Sequence, residues 1–236
     1  MTRFFASIDQ GRVLLTPVDE HHLKVVLRAR AGTEIEVVQE GQLYRAAIKK
    51  IDPLDIQVLE PVPSFLPRHL LTLIYSLPKG DKLDLVVQKA TELGVTAIIL
   101  TKTKRSVARW SPEDRDRKLA RLRAIAQEAS GQSRRLDVPT IEYVDDLDEI
   151  LARPFEIKLI ASEYLAGTPP FGISLKGKND IAVMIGPEGG YDQGEIEQAR
   201  QAGYKPISLG RNILRSETAA ITAVAVLSYL LEHASV

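Results

Sequence analysis

Apolar and polar positions along this chain change their rhythm about a quarter of the way in. Before that point the apolar residues come in short runs that alternate or carry β-branched side chains: RFFAS, RVLLT, EIEVVQ, LYRAAIKKI and DIQVLE. A period of two sends successive side chains to opposite faces, so these runs predict strands. Between the second and third runs, Leu23, Val26 and Leu27 of VDEHHLKVVLRARAG have helical spacing, with Gly32 as a stop. Gly41 marks a hairpin turn. Five strands and one helix over residues 1–60 predict a small barrel.

The segment Glu60–Pro67, EPVPSFLP, holds three prolines in eight residues. Proline removes ladder donors and restricts the residue before it, so this segment predicts a linker and two domains, 1–66 and 67–236. Beyond it strands and helices alternate. LLTLIYSL reads as a buried strand, KGDKLDLVVQKATELGV as a helix ending at Gly94, and TAIILTKT as the next strand. Ser111-Pro112-Glu113-Asp114 is a helix start, with a capping serine, proline in the first turn and acids at the positive dipole end. Leu119, Leu122, Ile125 and Ala129 mark the apolar face that follows. EIKLIAS, IAVMIG and PISLG are three further strands, and Glu217–His233 is a final alanine-rich helix. This alternation predicts an α/β domain with a largely parallel sheet.

Composition narrows the chemistry. With 44% hydrophobic and 26% charged residues the chain has the balance of a soluble globular protein. The apolar run Ala219–Leu231 is interrupted by Thr222 and Ser228 and is too short to span a bilayer. MTRFFASIDQ lacks the apolar centre of a signal peptide, so a cytoplasmic location is expected. Zero cysteines exclude disulfides, thiolate zinc sites and a cysteine nucleophile. The four histidines show no metal-ligand spacing, so no metal is expected. Net charge is zero, yet Lys102–Arg135 carries eleven Lys/Arg against four Asp/Glu. That local excess fits an RNA-binding patch, or equally a solvated helix face laced with ion pairs.

Candidate chemistry gathers in Ile181–Ala223. Twice an apolar run stops at a glycine-rich loop and a helix-like segment follows: IAVMI enters Gly186–Gly190, and PISL enters Gly210–Thr218. Glycine lets backbone approach a ligand, and a helix N-terminus offers free N–H groups. IGPEGG is neither a dinucleotide fingerprint nor a P-loop, but a parallel sheet puts its ligands at this end of a strand. An ordinary strand-to-helix turn would read the same way. In LGRNILRSETA, Ser216 is a candidate cap, and with Glu217 and Thr218 it could form a purely structural helix start. Arg215 just before that start is unfavourable against the dipole and suggests an anionic or electron-rich partner. QEASGQSRR, Gln127–Arg135, could hold RNA phosphate or a flipped base, or be a flexible solvated connection.

In this order, KGDKLDLVVQKATELGV, EASGQSRR, IGPEGG and LGRNILRSETAAITA strongly resemble the small-subunit ribosomal RNA uridine N3-methyltransferases of the SPOUT superfamily. The likeness covers nearly the whole chain. It implies an α/β fold with a SPOUT-type parallel sheet and a C-terminal trefoil knot, preceded by a small PUA-like β-barrel. It also implies a homodimer with active sites at the subunit interface. The cofactor would be S-adenosylmethionine, bent among three loops: Ile160–Glu163, Ile185–Gly190 and Leu209–Ala219. The residues so implied are Ala161, Ser162 and Glu163; Ile185, Gly186, Pro187, Glu188, Gly189 and Gly190; and Leu209, Gly210, Ile213, Leu214, Arg215, Glu217, Thr218 and Ala219. Relatives often read EQSGR where this chain has EASGQSRR, so either Gln132 or Gln127 holds the RNA-contacting position.

Methylation of uracil C5 normally needs a cysteine to attack the ring, so the absence of cysteine leaves a ring nitrogen or a ribose oxygen as the atom methylated. For N3, the expected catalytic residues are Arg215, stabilising negative charge on the imide, and Glu188, ordering the donor loop. N3 lies on the pairing edge, so the 16S RNA or assembled small subunit must present an unpaired uridine. Arg3 and Arg28 from the barrel, with Lys79, Lys89, Gln132, Arg134 and Arg135, are the expected RNA grips. The rival expectations are a SPOUT ribose 2′-O-methyltransferase, a non-catalytic ribosomal RNA-binding factor and a phosphate-binding metabolic enzyme.

Overall fold

Short alternating runs become one sheet and long apolar runs another. A computed structural model describes residues 1–66, 69–162 and 175–233. The chain divides into two units, Met1–Pro67 with Gln127–Val138, and Arg68–Ala126 with Pro139–Val236.

The first unit is a six-stranded sheet of β1 (Arg3–Phe5), β2 (Ser7–Asp9), β3 (Arg12–Leu14), β4 (Glu34–Gln39), β5 (Gln42–Ile51) and β6 (Leu54–Val62). Its order is β1-β4-β5-β6-β3-β2. β1 runs parallel to β4 and the other pairs are antiparallel. Phe4, Val13, Leu23, Ile35, Val37, Ile48 and Ile56 form its core. The expected helix is split: α1 (Pro17–His21), capped by Thr16, continues as a π-helical turn over His22–Val26. That turn buries Leu23 completely, worth about 1.5–3 kcal/mol. β2 was not expected, and the linker starts later than the prolines suggest, because Glu60, Pro61 and Val62 belong to β6. Pro61 pairs with Tyr44, while β3 reaches β6 only at Gln57, so the proline sits where one side of the strand has no partner.

Residues 127–138 are fastened to this sheet by Arg3. Its Nε and Nη2 bond Glu36 at 2.9 and 2.8 Å, and its Nη1 donates to the carbonyls of Arg134 and, at 3.0 Å, Arg135. A Cβ on Gly131 would lie 2.8 Å from the Arg3 carbonyl oxygen, so only glycine permits this approach.

The second unit contains β7 (Leu70–Ser76), α2 (Lys82–Glu92), β8 (Ala97–Thr101), the start of α3 (Pro112–Gln132), β9 (Thr140–Val144), α4 (Leu147–Leu151), β10 (Ile157–Ala161), β11 (Asp180–Ile185), α5 (Gln193–Gln201), β12 (Lys205–Ile207) and α6 (Ser216–His233). The sheet order is β12-β10-β11-β7-β8-β9 and every neighbouring pair is parallel. Helices cover both faces of such a sheet, which is why β7 and β11 are buried almost without interruption. β9 and α4 are additions to the expected elements. Among the described residues no helix is long and apolar enough to cross a membrane, and no His/Cys/Asp/Glu cluster could hold a metal ion.

The edge strand β9 is tied to the rest by a charged cluster. Trp110 stacks on Tyr143 at 5.4 Å, and the Arg115 guanidinium lies 4.6 Å from the Tyr143 ring centre. Asp145 accepts from Tyr143 Oη at 3.0 Å, pairs with Lys102 at 2.9 Å and also with Arg115. Lys102 above all, helped by Tyr143 and Arg115 against the cost of desolvation, holds the Asp145 carboxyl down to about 2 from its ordinary 3.8. A depressed folded-state pKa stabilises above the ordinary value, and that contribution is lost as pH falls through about 2. We therefore expect Asp145→Asn to flatten the decline of urea stability between pH 4 and 2, relative to wild type.

Candidate active site

All strands of the second sheet point the same way, so the segments after β7, β8, β10, β11 and β12 emerge at one edge. A cavity of about 310 Å³ opens there beside the three adjacent strands β12, β10 and β11. Its walls come from Ala161 and Ser162 after β10, from Ile185–Glu188, Gly190 and Tyr191 after β11, and from Ser208–Gly210 and Asn212–Ser216 after β12. Ile196 of α5 and Ala219 of α6 complete it.

The first glycine loop folds back on itself. Gly190 N–H bonds the Pro187 carbonyl at 2.9 Å, and Gly190 adopts φ +65°, a conformation glycine takes without strain. A Cβ on Gly186 would lie 3.2 Å from the Gly190 backbone and 3.3 Å from the Tyr191 ring. Two further anchors hold the loop. Arg105 Nη1 donates to the Gly189 carbonyl at 2.8 Å. The backbone N–H of Lys104 donates at 2.8 Å to Glu195, which forms a capping box with Asp192 at the start of α5.

The second loop is held against the first. Ser216 Oγ donates to the Gly186 carbonyl at 2.6 Å and lies 3.1 Å from Tyr75 Oη. Burial pushes the Tyr75 phenol well above its ordinary pKa, so it stays protonated. Glu188 accepts from the Lys79 N–H at 3.0 Å and from Lys82 Nζ at 3.2 Å. Desolvation works against its ionisation, but the backbone N–H groups of Glu188 and Lys79 and the Lys82 ammonium outweigh it and hold the carboxyl below the usual range.

The first helix bond of α6 runs from Ala219 N–H to the Arg215 carbonyl at 2.8 Å, which makes Arg215 the capping position. Ser216 is therefore not the cap; its hydroxyl is spent on Gly186 and Tyr75. Arg215 lines the cavity, is exposed, and has no hydrogen-bond or carboxylate partner among the described residues. A guanidinium against the positive end of a helix dipole, with nothing neutralising it, favours an anionic ligand there.

The structure brings together most of the expected donor residues. Glu163 lies outside the described residues. Gly189, Glu217 and Thr218 do not line the cavity: the Gly189 carbonyl is taken by Arg105, Glu217 turns to Lys82, and Thr218 is exposed. Tyr191, Ile196 and Ser208 lie outside the expected loops and do line it, as do Asn212 and Ser216, which fall within the expected Leu209–Ala219 loop without being singled out. Tyr191 directly follows the glycine loop, which is the signal that could have found it.

The expected RNA grips divide. Arg3 is 8% exposed and bound to Glu36, and Arg135 is 9% exposed and bound to Asp137 at 2.8 Å, so both guanidinium groups serve internal bonds. Lys89 pairs with Glu92 at 2.9 Å on α2. Arg28, Lys79, Gln132 and Arg134 are exposed with no side-chain partner among the described residues.

Comparison with known proteins follows the same outline. Residues 66–228 match a family described as an RNA methyltransferase domain. A ribosomal RNA small subunit methyltransferase E from Rickettsia conorii is 34% identical over 220 residues, covering 90% of this chain and 87% of that protein. One from Mesomycoplasma hyopneumoniae is 36% identical over 225 residues, covering 94% and 96%. The crystal structure of ribosomal RNA small subunit methyltransferase E from Neisseria gonorrhoeae bound to S-adenosyl methionine is 30% identical, with a TM-score of 0.87 over 98% of both chains.

Proposed function

We infer the reaction from one premise: the chain belongs to the RNA methyltransferase family, and within it to the ribosomal RNA small subunit methyltransferases E. It is an S-adenosylmethionine-dependent enzyme that methylates small-subunit ribosomal RNA. The atom methylated, in our reading, is N3 of a uridine. The observation that carries this reading is that Arg215, which has no partner among the described residues, lines a cavity built from two glycine loops.

The cavity suits the cofactor on its own terms. Its volume lies at the lower end of small-molecule sites, and Ile185, Ile196, Leu209, Ile213 and Leu214 supply apolar wall. Ser162 and Asn212 supply polar groups. S-adenosylmethionine bound there supplies a sulfonium-activated methyl group. Arg215, lining the same cavity, would stabilise the charge on the uracil imide once N3 has given its proton to solvent. Glu188, fixed by Lys79 and Lys82, orders the donor loop and does not serve as a base.

Lys79 after β7, Arg105 and Arg109 after β8, and Arg211 and Arg215 after β12 put cations along the edge that holds the cavity. They, with Arg28, Gln132 and Arg134 of the first unit, are the proposed contacts to RNA phosphate and base. The domains in this reading are 1–66, a PUA-like barrel, and 67–236, the methyltransferase. Entry of β11 between β10 and the earlier β7, with β12 landing beyond β10, supports a trefoil knot. The exposed Ile213 (75%) and Tyr229 (61%) support a homodimer, and the reading places the enzyme in the cytoplasm.

The test is methyl transfer in vitro. Labelled methyl from S-adenosylmethionine should enter small-subunit RNA, free or within the assembled subunit, in proportion to the protein added. No transfer to either substrate would overturn the reading.

A further inference from the structure

A lysine in the first turn of a helix is unfavourable against the helix dipole, and Lys82 is the first residue of α2. Two carboxylates explain its place. Lys82 Nζ lies 3.2 Å from Glu188 Oε1 and 3.2 Å from Glu217 Oε2. Glu188 belongs to the glycine loop after β11, and Glu217 to the first turn of α6 after the second loop. The lysine thus spans the two chain segments that form the cavity, while contributing nothing to its lining.

The rest of the arrangement points the same way. The segment leading into α2 also gives Glu188 the Lys79 N–H at 3.0 Å. On the other side of the joint, Ser216 Oγ ties the second loop to the Gly186 carbonyl at 2.6 Å. Glu217 Oε2 is buried and has no hydrogen bond, so the Lys82 charge is its compensation. Glu217, and then Glu188, push the Lys82 pKa up, and both carboxylates act on the same Tyr75 phenol beneath the joint. Without the ammonium, two negative groups on facing segments would repel each other.

We propose that Lys82 is a positioning residue that clamps the two glycine loops together through Glu188 and Glu217, setting the spacing of the donor cavity. The inference rests on the donor-site reading given above. The Lys82 and Glu188 side chains are both about one-third exposed, so that pair contributes little to global stability and its loss falls on loop placement and donor binding.

The experiment compares wild type with Lys82→Met, Lys82→Arg and Glu217→Gln. It measures donor affinity by calorimetry, KM for the donor, kcat and the thermal midpoint. Lys82→Met should raise Kd and KM together by about ten-fold or more, with kcat less affected, and shift the midpoint by only about a few degrees. Lys82→Arg should recover most of the affinity, because it keeps the charge between both carboxylates. Glu217→Gln, which leaves α2 untouched, should shift KM in the same direction by a smaller factor. Unchanged donor affinity in Lys82→Met, or in Glu217→Gln should the first variant not fold, overturns the clamp. So does an arginine variant as impaired as the methionine one. Failure of wild type itself to bind donor would instead sink the donor-site reading.

Discussion

Arg215→Ala should lower kcat by about 100- to 1000-fold, roughly 3–4 kcal/mol of barrier, as removal of an oxyanion-stabilising donor does elsewhere. Donor affinity should change by no more than about three-fold, since the loops are held by other bonds, and the circular dichroism and thermal midpoint should stay at wild-type values. The reason lies in what Arg215 does not do. It has no carboxylate or hydrogen-bond partner among the described residues, and it occupies the capping position, where the helix dipole opposes its charge. Among the described residues no bond of the fold uses the guanidinium. Single-turnover methyl transfer to small-subunit RNA would read the loss directly. Full activity in the variant would remove Arg215 from the mechanism.

The second large effect is expected at Gly186. Valine there would place a Cβ 3.2 Å from the Gly190 backbone and 3.3 Å from the Tyr191 ring, with two methyl groups beyond it. Backbone cannot yield as the end of a flexible side chain can, so the Pro187–Gly190 turn has to give by a few tenths of an ångström at the Cβ and further for the methyl groups. Its carbonyl also carries the 2.6 Å bond from Ser216, so the second loop would move with the first. Calorimetry should show donor affinity weakened by about 100-fold, equivalent to about 2.8 kcal/mol. The loss of binding should exceed the loss of folding stability, because the change sits at the sheet edge and outside its core. Wild-type affinity in Gly186→Val would mean that the donor does not use this turn.

The parallel sheet was legible because β7 and β11 are buried on both faces and so appear as unbroken apolar runs. Elements too short to show a period were not. β2 has three residues and α4 five, and the edge strand β9 shows only partial burial. Both glycine loops could be located from sequence, since glycine directly after an apolar strand marks a close backbone approach. Their internal wiring could not. Ser216 has every local feature of a helix cap, but a tertiary bond to Gly186 claims its hydroxyl. Arg3 and Arg135 look like RNA-facing cations until Glu36 and Asp137 are seen beside them. Periodicity reveals which face a residue occupies, and charge reveals its sign; neither reveals the partner across the fold. Lys82 illustrates the same limit, because its two carboxylates lie far along the chain from it.

We propose that this enzyme puts a methyl group on N3 of a uridine in small-subunit ribosomal RNA. This is tested most directly by mass spectrometry of nucleosides from small subunits of a strain lacking the protein, before and after incubation with purified enzyme and S-adenosylmethionine. 3-Methyluridine should be missing from the untreated RNA and be restored by wild type but not by Arg215→Ala. Appearance of a 2′-O-methylated nucleoside in its place, or 3-methyluridine at normal abundance without the protein, would contradict it.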